Sequence, residues 1–131
     1  MTVAGERVAA ADVETALLSH AAVADAVVVA VPHDVKGQGV YAYVVLVPGH
    51  AYDDALKEHL VEHVRAQVGP SAGPDVIQWA PDGLPKSRSG KIMRRILRRI
   101  AENAPDDAPM ATGATDPDVV ARLAEEAKRL R

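Results

Sequence analysis

Between Leu84 and Arg99 the chain carries seven cations and no acid, although its formal net charge is −3. Pro85 fixes the backbone entering this run, Ser87 and Ser89 supply short polar side chains, and Gly90 permits a conformation that a β-carbon would forbid. Lys91 stands next, at the threshold of what reads as a helix. An ammonium is a compact point charge with three donors, suited to following negative charge from a carboxylate to a phosphate during a displacement. A polar loop aiming one lysine outward, backed by arginines, suits phosphate or carboxylate chemistry. Acylating that lysine would delete its charge and disable the step.

Other motifs compete with this reading. A phosphate-binding P-loop needs glycine five residues before the second one and Ser or Thr after the lysine. Those places hold Pro85 and Ile92, so the P-loop fails. His59-Leu60-Val61-Glu62-His63 matches the H-x-x-E-H pattern of one metalloprotease class. Two histidines four apart on a helix can share a metal, but no third ligand is evident nearby, and the edge of a surface helix explains both. The arginine-rich stretch could neutralise nucleic-acid phosphates. Against that, the chain is acidic overall and has no aromatics interleaved with the basic run for stacking. A solvated helix face is the plainer alternative.

These residues need a scaffold. At 131 residues the chain is one domain by size, with a modest core of its own. With three Tyr, one Trp and no Phe, that core must be built from Val, Leu, Ile and Ala. The absence of cysteine excludes a disulfide framework, a thiolate zinc site and a cysteine nucleophile. No signal peptide and no apolar run of bilayer length is visible. The expectation is a soluble, cytoplasmic protein with no membrane partner.

Thr2 to Val8 is short and β-compatible, or a frayed terminus. Ala10 to Ser19 reads as a helix whose stripe is Val13, Ala16, Leu17 and His20, with Asp12 and Glu14 near its positive end. Val23 to Val31, dense in β-branched residues, reads as a largely buried strand ended by Pro32. His33 to Gly39 reads as a turn, and Val40 to Val47 as the second strand of an antiparallel hairpin. Asp53 to Val68 is the clearest amphipathic helix, stopped by Gly69-Pro70. Val76 to Trp79 reads as a short edge-like strand. Ile92 to Ile100 reads as a helix with Ile92, Ile96 and Ile100 on its apolar face, and Asp116-Pro117-Asp118 opens a last helix. The class is α+β, a small antiparallel sheet (hairpin plus short strands) packed with helices. The expected organisation is a domain over residues 1–103, a linker over 104–115 and a C-terminal helix over 116–131.

The string Pro85-Lys86-Ser87-Arg88-Ser89-Gly90-Lys91-Ile92-Met93-Arg94-Arg95-Ile96-Leu97-Arg98 resembles the C-terminal signature of AMP-forming acetyl-CoA synthetases, in the adenylate-forming acyl-CoA ligase superfamily. Ala4-Gly5-Glu6-Arg7-Val8 through Asp12-Val13-Glu14 is similar to the motif after that family's interdomain hinge. Val31-Pro32-His33 through Val44, and Gly69-Pro70 to Pro74-Asp75-Val76, resemble it too. The match runs from about Gly5 to Arg99 and continues weakly through Asp116–Val120.

The resemblance implies the fold of the mobile C-terminal domain of these ligases. It also implies a two-step reaction: ATP and acetate give acetyl-AMP and pyrophosphate, then coenzyme A displaces AMP to give acetyl-CoA. The domain would rotate between the steps, presenting opposite faces to the active site. Lys91 matches the lysine serving adenylate formation, which is also a target of reversible acetylation. A lysine acetyltransferase and a deacetylase are therefore implied partners. Ser89 and Gly90 would support the lysine loop. Arg7 matches an ATP-contacting arginine. Ala4 and Arg65 fall where the family contacts coenzyme A, with Gly5 along the pantetheine path. Leu18, His20 and Val23 fall at a magnesium (Mg2+) site formed largely by backbone carbonyls, and His20 reads equally as a plain helix-end histidine.

The chain departs from the family's usual residues at Ala4 (Ser), Glu6 (His) and Ala9 (Gly), and Gly83 looks like a one-residue insertion. Glu6 sets an anion beside Arg7. The family's large N-terminal domain, with its phosphate loop and acyl pocket, is absent from this sequence. One lysine without a pocket to position the reactants cannot supply meaningful rate. The chain alone is expected to make no acetyl-CoA. It reads as an excised domain acting with a ligase N-terminal domain in cis or in trans, or as a stand-alone interaction module or acetyltransferase substrate.

Overall fold

Val23–His33 (β3) and Gly37–Leu46 (β4) form an antiparallel hairpin around which the other elements gather in the computed structural model. The structure describes residues 2–3, 6–7, 9–33, 37–69, 72–81, 83–86, 91–101 and 117–129. The remaining strands are β1 (Thr2–Val3), β2 (Glu6–Arg7) and β5 (Val76–Trp79). The helices are α1 (Ala10–Leu18), α2 (Asp54–Gln67), α3 (Arg94–Ala101) and α4 (Pro117–Arg129). Strand order is β2-β1-β4-β3, with β5 also paired to β4.

The α+β class stands. Its sheet is mixed rather than wholly antiparallel, because β5 runs parallel to β4 with Tyr41–Val44 facing Val76–Trp79. A strand entering after α2 has crossed back over the sheet, and such a crossover favours parallel pairing. The Thr2–Val8 segment resolves into β1 and β2, an antiparallel pair joined to the start of β4 through Val3 and Gly37.

β4 is central and buried on both faces, which explains its unbroken apolar run. Val40, Ala42, Val44 and Leu46 point to one side, where Val13 and Leu17 of α1 and Leu60 and Val64 of α2 complete a core. Tyr41 and Tyr43 point to the other, against Ile96, Leu97 and Ile100 of α3 and Val119, Val120 and Leu123 of α4. The sheet is thus the middle of three layers, with α1 and α2 on one face and α3 and α4 on the other. α4 is also held by Gln78, fully buried in β5, whose Nε2 donates to the Leu123 carbonyl at 2.8 Å. The stretch expected as a linker, 104–115, lies outside the described residues.

Two expectations for the hairpin are corrected. Pro32 does not end β3, which continues to His33 with Pro32 facing Gln38. The Val28 N–H points away from β4, to the Glu14 carboxylate at 2.8 Å. Two-residue periodicity puts Pro32 in the same outward phase, on an edge strand where a missing donor costs no ladder bond. Gly37 and Gly39, expected in the turn, belong to β4, leaving only residues 34–36 between the strands, outside the described residues.

α2 follows its end signals. Asp53 caps α2 by accepting from the Leu56 N–H at 2.8 Å, and Gly69, at φ 153°, turns the chain just beyond it. α3 begins at Arg94, not at Ile92. Ile92 instead forms an antiparallel bridge with Lys86, and the Met93 N–H donates to the Pro85 carbonyl at 2.9 Å. These bonds commit the backbone to closing a loop before a helical turn can start.

Candidate functional site

Lys91 is exposed, three residues before α3, at the base of the loop that the Lys86–Ile92 bridge closes. Leu84 is buried on one side of this base, and Ile92 and Met93 are half-buried on the other, all against the α3 face of the sheet. The loop is therefore anchored at both ends by apolar burial, while its lysine stays in solvent. Ser89 and Gly90, the expected support of Lys91, lie outside the described residues.

Behind the loop, the start of α3 is held by Glu14 of α1. The Arg94 guanidinium donates to both Glu14 oxygens, Nη1 to Oε1 and Nη2 to Oε2, the latter at 3.0 Å. Oε1 also accepts the Val28 N–H. The fork geometry matches guanidinium to carboxylate, and the hydrogen bond to Glu14 raises the Arg94 pKa further above its ordinary value. In the sequence, Glu14 reads only as an acid near a helix start. A partner 80 residues away leaves no local signal.

Arg65 lies on the opposite face of the sheet. It sits in the last turn of α2, whose Leu60 and Val64 enter the α1–α2 core. Its Nη1 pairs with Glu62 at 3.1 Å. Its stem crosses Gly73, where an added β-carbon would come within 2.8 Å of Nε and 3.1 Å of Cγ. Lys57, Glu58 and Asp75 join it around an open groove of about 430 Å³. The structure therefore separates Arg65 from Lys91 by the full thickness of the sheet.

Arg7 lies in β2, opposite Thr2 in β1. Ala4 and Gly5 lie outside the described residues.

Leu18, His20 and Val23 come together where α1 turns into β3. The His20 N–H donates to the Leu17 carbonyl at 3.1 Å, the Val23 N–H to the His20 carbonyl at 3.1 Å, and the Ala22 N–H to His20 Nδ1 at 3.0 Å. Burial, and then the neighbouring His59, His63 and His50, lower the His20 pKa below 6.5, so the ring is neutral at pH 7. The last turn of α1 carries no basic residue. The His20 carbonyl already accepts the Val23 N–H, but with no basic residue in the last turn of α1 the second lone pair of a carbonyl there suits a hard cation that prefers oxygen ligands.

The H-x-x-E-H pattern does not form a metal centre. His59 and His63 meet the His20 ring edge-on at centroid distances of 5.0 and 5.2 Å. His63 Nε2 is engaged by the Ser19 hydroxyl at 2.8 Å, and Glu62 by Arg65. Among the described residues, no group of three His, Cys, Asp or Glu could hold a metal ion. None of their helices is long and apolar enough to cross a membrane.

The family model described as AMP-binding enzyme C-terminal domain matches residues 12–91, from α1 through Lys91. The chain belongs to the AMP-binding enzyme C-terminal domain family. Its relatives include the acetyl-coenzyme A synthetase of Xanthomonas oryzae pv. oryzae, 57% identical over 126 residues, which are 96% of this chain and 19% of that protein. The acetyl-coenzyme A synthetase of Caulobacter vibrioides is 57% identical over 92% of this chain and 18% of its own length. The chain thus spans about a fifth of the relatives it matches. Among solved structures, the Brucella canis acyl-CoA synthetase superposes with a TM-score of 0.70 at 43% identity, over 75% of this chain and 18% of its own. The acetoacetyl-CoA synthetase of Streptomyces lividans gives a TM-score of 0.78 at 23% identity, over 99% of this chain and 19% of its own, a likeness of fold alone. Within this family domain, Lys91 and Arg65 are carried on opposite faces of one sheet.

Proposed function

We propose that the chain works as the mobile C-terminal domain of an AMP-forming acetyl-CoA synthetase-like ligase and contributes a different face to each half-reaction. The observation that carries this reading is the placement of Lys91 and Arg65 on opposite faces of a single sheet. A rigid sheet cannot bring both cations to one reacting centre, so a reaction using both must turn the domain between steps.

In the first step the acetate carboxylate attacks the α-phosphorus of ATP and pyrophosphate leaves. The Lys91 ammonium is the group that reaches this centre, where it offsets charge moving from carboxylate to phosphate. Arg7 contacts ATP. In the second step the coenzyme A thiol loses its proton and attacks the acetyl carbon, and AMP leaves. Ala4, Gly5 and Arg65 form the coenzyme A side, with the Arg65 guanidinium matched to a phosphate. Ser89 and Gly90 shape the lysine loop. The carbonyls of Leu18, His20 and Val23 would hold magnesium, which supplies a fixed positive charge at the end of α1. The relatives' names support acetate as the acyl group.

The same exposure makes Lys91 a substrate for reversible acetylation by a lysine acetyltransferase and a deacetylase, an off-switch for the first step alone. The remaining four fifths of the ligase act in cis or in trans, in the cytoplasm. Residues 1–103 form the working domain, 104–115 a linker and 116–131 a helix that returns to the α3 face.

The test joins this chain to the N-terminal portion of the Xanthomonas oryzae relative. Lys91→Ala is expected to abolish acetate-dependent ATP–pyrophosphate exchange while leaving thioester formation from supplied acetyl-AMP. Arg65→Ala is expected to do the reverse, raising KM for coenzyme A. Equal loss of both half-reactions in both variants would sink the two-face reading, as would turnover by the chain alone.

A further inference from the structure

The described ends of the Lys91 loop rest on the core, and the aim of Lys91 depends on how firmly those ends are held. At the first end, Leu84 and Pro85 are buried. At the second, Ile92 and Met93 are only half-buried, and the next residue, Arg94, has a half-exposed side chain. Glu14 adds a polar hold to the partial burial of that end. Its side chain is 13% exposed against 54% for Arg94, so the carboxylate is the fixed member and the guanidinium is drawn onto it. Three N–H groups converge on it, two from Arg94 and one from the Val28 backbone. One side chain therefore ties together α1, the outer edge of β3 and the first residue of α3.

We propose that Glu14 is a positioning residue for Lys91, acting through Arg94. This rests on Lys91 being the adenylation lysine. A partly exposed pair adds little to global stability. Its effect on aim is larger, since a displacement of about 1 Å at a reacting group can cost ~100-fold in rate. From Arg94 the hold passes directly to the loop. The Arg94 N–H donates to the Ile92 carbonyl at 3.1 Å, the Met93 N–H to Pro85, and Ile92 bridges Lys86. Releasing Arg94 frees the end of the loop that carries Lys91. It leaves untouched the α2 face, where Arg65 sits on the other side of the sheet.

The test uses the same fused ligase. Glu14→Gln keeps an oxygen for the Val28 N–H and removes the charge that holds Arg94. It is expected to lower kcat for acetate-dependent ATP–pyrophosphate exchange about 10- to 100-fold, with KM for ATP and acetate little changed and thioester formation from supplied acetyl-AMP retained. Arg94→Gln should match it, and the double variant should fall no further than either single, because both remove one clamp. In the unfused chain, amide exchange at Met93 should accelerate in both variants. Equal loss of both half-reactions would make Glu14 merely structural and overturn the proposal, and so would additive loss or an unchanged exchange rate. If Lys91→Ala retains adenylation, the reading of Lys91 fails first. If Lys91→Ala abolishes adenylation while Glu14→Gln does not affect it, only the positioning role fails.

Discussion

The Tyr43 hydroxyl donates to the Leu97 carbonyl at 2.6 Å, joining the central strand to the middle of α3 inside a fully buried layer. Both residues are 0% exposed, so neither group has water as an alternative partner. Tyr43→Phe should lower the unfolding free energy by about 1 kcal/mol, and Leu97→Ala, which leaves a cavity, by about 2–5 kcal/mol. Leu18, 46% exposed on the other side of the sheet, should tolerate truncation within ~0.5 kcal/mol. Urea titrations of the three variants give the ranking, and equal midpoints for Leu97→Ala and Leu18→Ala would contradict it.

Gln78 serves a second buried connection. Its Oε1 accepts from the Tyr41 hydroxyl at 2.5 Å, and its Nε2 reaches Leu123 of α4. Gln78→Leu keeps the volume but removes the acceptor that Tyr41 uses and the donor that Leu123 uses. A cost of about 1–3 kcal/mol is expected, together with faster proteolytic cleavage within α4 than within α2. Unchanged cleavage of α4 would show that apolar packing alone holds that helix.

Asp53 caps α2 through its side chain. Asp53→Ala should destabilise the chain by about 1 kcal/mol, and Asp53→Asn should recover most of that, because either side chain can accept the Leu56 N–H. Thermal unfolding of the pair separates capping from simple charge removal. A large deficit in Asp53→Asn would assign the effect to charge at the helix end instead.

The His20 pKa is lowered first by burial and then by His59, His63 and His50. The unfolded chain therefore binds a proton near pH 6.5 that the folded chain refuses. Stability from this source is complete above pH 6.5 and is lost progressively as pH falls toward the folded value. Thermal midpoints should be level from pH 7 to 8 and decline below 6.5. His20→Asn, which keeps an acceptor for the Ala22 N–H, should show a shallower decline. An identical pH profile would contradict the assignment to His20.

Much of this architecture is legible locally. The β-branched run Val23–Val31, the amphipathic helix expected over Asp53 to Val68 and its stop at Gly69 each reflect burial or chain ends that show in local residue types and periods. The loop leading to Lys91 is readable for the same reason, since Pro, Ser and Gly act through their own backbone angles. What the tertiary structure alone decides are partnerships between distant parts of the chain. The outward phase of β3 makes Pro32 harmless, and the return over the sheet makes β5 parallel. Neither leaves a trace in the segment itself. Glu14 reads as an ordinary helix-start acid until folding sets Arg94 and the Val28 N–H against it. Residue type and spacing single out Lys91, whereas Arg65 enters only through the family resemblance. Their separation depends on which face of β4 each helix covers, and that is settled only when both cores close around the same strand.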